Sequence, residues 1–470
     1  MKIFSCSLKE LRGNFFLDLT KNVIIIGAGI SGLSTAALLT NENISVQVFE
    51  KTSKVGGRTA CSLFRNHILD NGFHIMPFYK TSAVYQVLEK IGVVSRLKLT
   101  KVDKIEFFQR KKFFKYPRGI VDILKLTMIP FSNRLKLLFI LLPMAFSSME
   151  KAEKLDNNSL TEITKKLDKK TKSFFDAVCM LAFADTPEHV SLGEFVRTMI
   201  RSNPFKGGTS EFAYPSEGGY DKISELLTEY VREKNNEIIL NSSIKKIVVE
   251  KGYVKGVIDQ NGKFIESNCV VVSNPAYIAV RQLFDESVFK EEFLKKVEKL
   301  NKTTSVIETH FCTSKKIDSN QVVFPIGENF TTKGIFFISN ITSKVSPQGE
   351  HLLMAGTPVP LEYTKDPSKI REISEKMKNE ISEIYPDFKK CLLWERPMAW
   401  SLVEAVVKKP GMVWKQKMPH EINEIEGLYF VGDSTISYGI GTDSAAHSSI
   451  LCHPKIMTYL NTRKENIILN

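Results

Sequence analysis

Residues 22–32 read NVIIIGAGISG, and the chain continues LSTAALLTNENISVQVFE as far as Glu50. The β-branched run over 22–26 predicts a buried strand, ISGLSTAALLTNE carries the apolar periodicity of a helix, and ISVQVFE alternates as a second strand. Between the first strand and the helix stand Gly27, Gly29 and Gly32, in the spacing G-x-G-x-x-G. This string has many uses on its own; in a strand–turn–helix–strand setting it predicts a dinucleotide site. Gly27 turns the chain tightly, Gly29 keeps a side chain out of the space a pyrophosphate needs, and Gly32 lets the helix pack closely on the strand. The backbone of Ala28, Ile30 and Ser31 completes the cradle, because a helix start presents unpaired N–H groups and the positive end of its dipole. Glu50 closes the second strand near the ~20-residue spacing of a ribose-binding acid, and its charge repels a 2′-phosphate. NADP is therefore disfavoured.

Working outward, 470 residues are too many for one ordinary core, and a chain 43% apolar and 25% charged has the composition of a folded protein. Two domains are expected. The net charge of +13 favours an anionic contact, either a lipid surface, an acidic ligand or nucleic acid. Nucleic-acid-binding motifs are absent and the basic residues alternate with acids, so no nucleic-acid partner is expected and a non-enzymatic scaffold is the least favoured reading. Seven scattered cysteines without a CxxC pair read as reduced thiols of a cytoplasmic protein, with no metal-type spacing. The opening MKIFSCSLKELRGNFFLDLTK lacks the apolar core of a signal peptide, so the five sequons at Asn157, Asn241, Asn301, Asn329 and Asn340 read as chance. The longest apolar run, LLFILLPMAF over 137–146, falls short of the ~18–20 residues of a spanning helix.

Periodicity changes divide the chain. Residues 1–20 form an extension; 21–81, 208–275 and 425–465 carry α/β character; 82–207 and 276–424 carry helical and mixed patterns and read as a second, inserted unit. Within the insertion, KIEFFQRKKFFKYP predicts a hairpin.

After Glu50 comes KTSKVGGRT, and GAGISGLSTAALL followed by VFEKTSKVGGRT resembles the opening of the flavin amine oxidase, protoporphyrinogen oxidase and phytoene desaturase superfamily. The resemblance implies FAD as cofactor, with Lys51 beside the ribose acid and Gly57 and Arg58 wrapping the pyrophosphate. It extends to GLYFVGDSTISYGIGTDSAA, where Gly432 and Asp433 match the ribityl-contacting pair. Gly441, Thr442 and Asp443 match the helix start whose N–H groups face the pyrimidine end of the flavin, and Ile244 lies where the family contacts adenine. The fold class implied is α/β: a Rossmann-type FAD-binding domain with a mostly parallel sheet and an inserted mixed α+β substrate-binding domain.

LDNGFHIM, residues 69–76, resembles the Asp-x-Gly-x-His stretch of the phytoene desaturase-like and squalene-pathway branch. That implies a lipophilic, isoprenoid substrate that is dehydrogenated or isomerised, with an oxidase of amines or of a porphyrinogen as the alternative. His74 is the candidate general acid or base, since imidazole titrates nearest neutral pH; its other reading is a histidine that only hydrogen-bonds its loop. The amine oxidase alternative asks for an aromatic cage, for which Trp394, Trp400, Trp414 and Tyr438 are available. Residues 119–149 interleave large apolar residues with Lys125, Arg134 and Lys136, a pattern that suits either a core helix pair or a peripheral contact with an anionic membrane at the inner face of the cell. Nothing in the sequence names the electron acceptor.

Overall fold

The computed structural model describes residues 22–77, 80–203, 205, 211–327 and 330–469, so the extension over 1–20 and the sequon at Asn329 lie outside the described residues. Strand β1 (Asn22–Ile26), helix α1 (Ile30–Asn41) and strand β2 (Ser45–Phe49) form the expected βαβ unit. Residues Ile30 to Thr40 of α1 are buried on every side, which explains a helix apolar all round. A hairpin follows, β3 (Cys61–Phe64) with β4 (His67–Asp70), and then helix α2 (Ala83–Lys90).

The predicted second hairpin is present as β5 (Ile105–Gln109) and β6 (Lys112–Lys115). Helices α3 (Ile120–Lys125) and α4 (Phe131–Ala145) occupy the 119–149 segment, and Leu137 is the only residue of either that is buried. The segment is thus a surface helix pair, because its apolar residues outnumber what the underlying helix α5 (Leu192–Arg201) covers. No helix among the described residues is long and apolar enough to cross a membrane.

Helix α6 (Lys222–Glu233) leads back to strands β7 (Glu237–Ile239), β8 (Ile244–Glu250), β9 (Tyr253–Asp259), β10 (Phe264–Glu266) and β11 (Cys269–Val272). Helices α7 (Ala276–Leu283) and α8 (Glu291–Lys299) come next. Strands β12 (Val306–Thr313), β13 (Val322–Pro325), β14 (Gly334–Phe336) and β15 (His351–Pro358) follow, then helix α9 (Pro367–Ile384) and strand β16 (Leu392–Trp400). The chain ends with β17 (Glu421–Ile422), β18 (Ile425–Phe430) and helix α10 (Gly441–Leu469).

Two large sheets result. One runs β7-β2-β1-β11-β18-β9-β8, with β10 beside β9 and β17 beside β18; β7 through β18 pair in parallel and the β8–β9–β10 edge is antiparallel. The other runs β16-β12-β15-β14-β13-β5-β6. The mostly parallel sheet accounts for the continuous apolar runs of β1 and β11, since both of its faces are covered.

One boundary differs from the sequence reading. Residues 276–300 and 402–422, assigned there to the inserted unit, supply Ala276, Val280, Val297, Val406 and Met418 to the core that covers Ile24, Val270 and Phe430. A parallel sheet with only one helical layer would leave an apolar face in water, and α7 and α8 close that face. The change of periodicity at 276 marks a new element and no departure from the sheet.

Candidate flavin site

At the end of β1 the predicted turn is realised. Gly27 has φ of +100°, a conformation that L side chains rarely adopt, and a Cβ on Gly32 would lie 2.0 Å from the Gly27 carbonyl oxygen and 3.1 Å from Ser273. Helix α1 therefore crosses the strand ends at a distance only glycine allows. A Cβ on Gly29, by contrast, would meet nothing within 4 Å. Its backbone is extended, with φ of −76°. So the second glycine faces open space at the helix start, where the N–H groups of the first turn of α1 fit the pyrophosphate of FAD.

Around this cradle the sequence-predicted residues converge. The Gly56 N–H donates to the Ala28 carbonyl at 2.8 Å, which brings the GGR loop against the G-x-G-x-x-G loop, and Gly57 stands near Gly29. Ser31 and Ser273 share a hydroxyl hydrogen bond of 2.8 Å, and Gly432, φ +129°, lies beside Ser31. Glu50 is buried; its carboxylate accepts the Ala28 N–H at 2.8 Å and both the backbone N–H and the hydroxyl of Thr52. It thus orders the glycine loop and the turn that follows β2. Lys51 is exposed, and Ile244 is buried at the start of β8.

Two residues that the resemblance assigns to the cofactor are paired with each other. The Arg58 guanidinium donates to both oxygens of Asp433, at 2.8 and 2.6 Å, and to the Val403 carbonyl. Burial alone would raise the Asp433 pKa, but Arg58 outweighs it and holds the carboxyl well below the usual carboxylate range. A buried carboxylate needs such a partner.

The start of α10 is held by hydrogen bonds from within the chain. The Gly441 N–H donates to the Glu404 carboxylate at 2.8 Å and the Asp443 N–H to the Ile440 carbonyl, so these two groups are engaged within the protein. Thr442 hydrogen-bonds the Tyr220 hydroxyl at 3.0 Å. Asp443 accepts from the Ser82 hydroxyl, the Ala83 N–H and Arg201, which caps α2 and anchors α5. The reason is local: a helix N-terminus attracts carboxylates, and the chain supplies two of its own.

Sequence reading missed the residues that hold this loop. On α5, Glu194, Arg197 and Arg201 share one helix face at i, i+3 and i+7. Glu194 accepts the Gly439 N–H at 2.9 Å, and Arg197 pairs with Asp156 at 2.6 Å and with Glu194 at 3.1 Å, all three side chains being almost wholly buried. The i, i+3, i+7 spacing was the available signal. Buried Lys417 donates to the Asp433 carbonyl and the Ser437 hydroxyl, and burial lowers its pKa well below the ordinary lysine value.

His74 stacks on Tyr220, with ring centroids 4.7 Å apart, and its Nε2 is 3.2 Å from the Asn71 carbonyl. Burial lowers its pKa, so the imidazole is neutral at neutral pH. Across from it, the Phe73 ring packs on Gly356, the β-partner of Glu308 on the second sheet. Glu308 is wholly buried, accepts the Trp400 indole N–H at 2.6 Å, and has its pKa pushed up to about 8, chiefly by burial. It keeps a proton at neutral pH. No aromatic cage is assembled from the four candidates: Trp394 packs on His67, Trp400 on Glu308, and Tyr438 lies 5.1 Å from Trp414 and 3.7 Å from His447.

Two outcomes follow from this geometry. Because a Cβ on Gly29 has open space around it, Gly29→Val is expected to fold with stability within about 1 kcal/mol of wild type while losing FAD content, whereas Gly32→Ala overpacks the crossing and costs about 1–3 kcal/mol or more. Denaturant unfolding and flavin absorbance of the purified variants measure both. For Glu308, the folded protein holds a proton between about pH 4.5 and 8 that the unfolded chain releases. Stability therefore falls as pH rises through that window, by on the order of 4 kcal/mol, and Glu308→Gln removes this part of the slope in urea titrations at pH 5 to 8.

A family model described as flavin containing amine oxidoreductase matches residues 30–452. The chain is 24% identical over 461 residues to the 15-cis-phytoene desaturase, chloroplastic/chromoplastic, of Solanum lycopersicum, covering 93% of this chain and 77% of that one. It is 22% identical over 354 residues to the 4,4'-diapophytoene desaturase (4,4'-diapolycopene-forming) of Methylomonas sp, covering 70% of this chain and 68% of that one. Among solved structures, an oxidoreductase from Methanosarcina mazei superposes with a TM-score of 0.76 at 19% identity, over 92% of this chain and 99% of that one. Strand order, glycine cradle and family match agree: this chain belongs to the flavin-containing amine oxidoreductase family and is an FAD-dependent oxidoreductase.

Proposed function

We propose that this flavoenzyme dehydrogenates, or isomerises, a lipophilic substrate of the isoprenoid class. The observation that carries the reading is the likeness to a phytoene desaturase along 93% of the chain, joined to the Asp70-x-Gly72-x-His74 stretch beside the second sheet. Bound FAD supplies the two-electron redox chemistry. The chain's own part is to bind, orient and exclude water. Gly27 to Gly32 hold the pyrophosphate, Glu50 and Lys51 the adenosine ribose side, Ile244 the adenine, and Gly57 with Arg58 the second wrap. Gly432 and Asp433 stand at the ribityl, and Gly441, Thr442 and Asp443 bring the α10 start to the pyrimidine end. Neutral His74 is the proton-handling candidate. Protonated Glu308, reached through Phe73 and Gly356, is a second group able to give a proton at neutral pH. In this reading, 21–81, 208–275 and 425–465 serve the cofactor, joined by the 276–300 and 402–422 segments, and the rest of the insertions serve the substrate.

We further read α3 and α4 as a peripheral contact with an anionic membrane, through which an insoluble substrate enters from the cytoplasmic face. Phe139 is 80% exposed and Val121 and Phe131 60% each, and Phe205, 78% exposed, lies beside Phe146 at the end of α4, a large apolar surface to show water. Lys125 lies in the last turn of α3, and Lys136 follows Leu135 on α4, cations at the edge of the apolar face.

Anaerobic addition of phytoene in detergent is expected to bleach the flavin absorbance and putrescine to leave it unchanged; bleaching by putrescine alone would transfer the assignment to the amine oxidase alternative. Flotation with phosphatidylserine vesicles is expected to carry the protein upward, and Phe139→Glu with Phe131→Glu to cut the floated fraction at least fivefold. Wild-type protein wholly in the soluble fraction would remove the membrane contact.

A further inference from the structure

Away from the flavin site, the β3–β4 hairpin meets the second sheet at a cluster of three ligand-type side chains. His67 opens β4, Cys312 lies in β12, and Glu350 immediately precedes β15, the antiparallel partner of β12. His67 Nε2 is 3.2 Å from Glu350 Oε2, Cys312 Sγ is 3.2 Å from the same oxygen, and Cys312 Sγ is 3.4 Å from His67 Nε2. The three atoms form a nearly regular triangle. In a tetrahedral zinc site with Zn–S near 2.3 Å and Zn–N and Zn–O near 2.0–2.1 Å, the edges between ligands come at about 3.3–3.6 Å.

The proton inventory points the same way. His67 Nδ1 lies 2.8 Å from the Arg65 carbonyl, an oxygen that only accepts, so Nδ1 donates a ring proton there and Nε2 is the nitrogen that faces Cys312 and Glu350. The thiol has one proton, which can bridge one of its two contacts. Nε2 and the Glu350 carboxylate face each other at 3.2 Å, an approach that calls for a positive charge between them, either a second ring proton or a cation. A cation at the centre of the triangle satisfies all three.

We propose that His67, Cys312 and Glu350 bind a divalent transition metal of the zinc type, which staples the β3–β4 hairpin to the second sheet. Thiolate, imidazole and carboxylate together select Zn²⁺ over Mg²⁺ or Ca²⁺, and the two anionic ligands neutralise its charge in a site where His67 and Cys312 are wholly buried. The Glu350 side chain is 35% exposed, which gives the ion a way in and leaves the fourth position to water. The staple has a structural consequence close to the cofactor. β4 ends at Asp70, whose carboxylate holds the Tyr214 hydroxyl and the Tyr220 N–H, and Tyr220 carries His74.

The test is a titration of the tag-free, flavin-loaded protein, dialysed against EDTA, first with Zn²⁺ by elemental analysis and then with Co²⁺. One equivalent of zinc retained after gel filtration is expected, with tetrahedral cobalt ligand-field bands in the red, beyond the absorption of oxidised flavin. The Trp394 ring stands edge-on to His67 at 4.9 Å, so cobalt is also expected to quench tryptophan emission. Cys312→Ser and Glu350→Gln are each expected to weaken binding at least tenfold. No saturable binding by wild type, or one equivalent whose affinity and spectrum are unchanged in Glu350→Gln and Cys312→Ser, would overturn the proposal. If the serine variant fails to fold, the Glu350→Gln titration decides alone.

Discussion

Helix α1 comes so near the end of β1 that even a methyl group on Gly32 would sit 2.0 Å from the Gly27 carbonyl oxygen. Everything around the cofactor cradle depends on this crossing. It sets the α1 N-terminus over the strand ends, where its N–H groups and dipole act on an anion, and it leaves open the space beside Gly29. Because α1 is buried on all sides, later elements must dock on it: Ser449 of α10 donates to the Ser31 carbonyl, and Ser448 accepts the Gly432 N–H. Residues 22–50 and 432–449 thus come together, although some four hundred residues separate them in sequence.

The second constraint is buried charge. The loop between β18 and α10 is ringed by Arg58–Asp433, Arg201–Asp443, Glu194–Arg197–Asp156 and Lys408–Glu404. Such pairs add little net stability against apolar isosteres, because desolvation consumes most of the Coulomb energy, yet removing one partner is costly. Their effect is to allow one arrangement of the loop. Gly439 shows how tightly the set is drawn, since a Cβ there would lie 2.7 Å from the Arg201 guanidinium. Helix α5, part of the inserted region, therefore helps to position the loop between β18 and α10.

The second sheet contributes differently. Its strand β12 is buried at every position and carries Glu308, His310 and Cys312 inside the protein. Burial keeps Glu308 protonated, beside Gly356, on which the Phe73 ring packs. Elsewhere the exposed phenylalanines of α4 leave an apolar surface without cover among the described residues.

The sequence by itself determined the βαβ opening, the glycine cradle, the hairpin over 105–115 and the family, because each rests on local spacing: backbone conformation at Gly27, helical period in 30–41, alternation in 44–50. It also marked Glu50, Arg58 and Asp433 as candidates for the cofactor site. Only the tertiary structure decided that Arg58 and Asp433 bind each other, that Glu404 and Asp443 occupy the α10 start, that 276–300 belongs to the core of the parallel sheet, and that His67 meets Cys312 and Glu350. These are contacts between residues up to hundreds of positions apart, settled by which charges must be paired once water is gone and which sheet face is left bare. No periodicity within a segment carries that information.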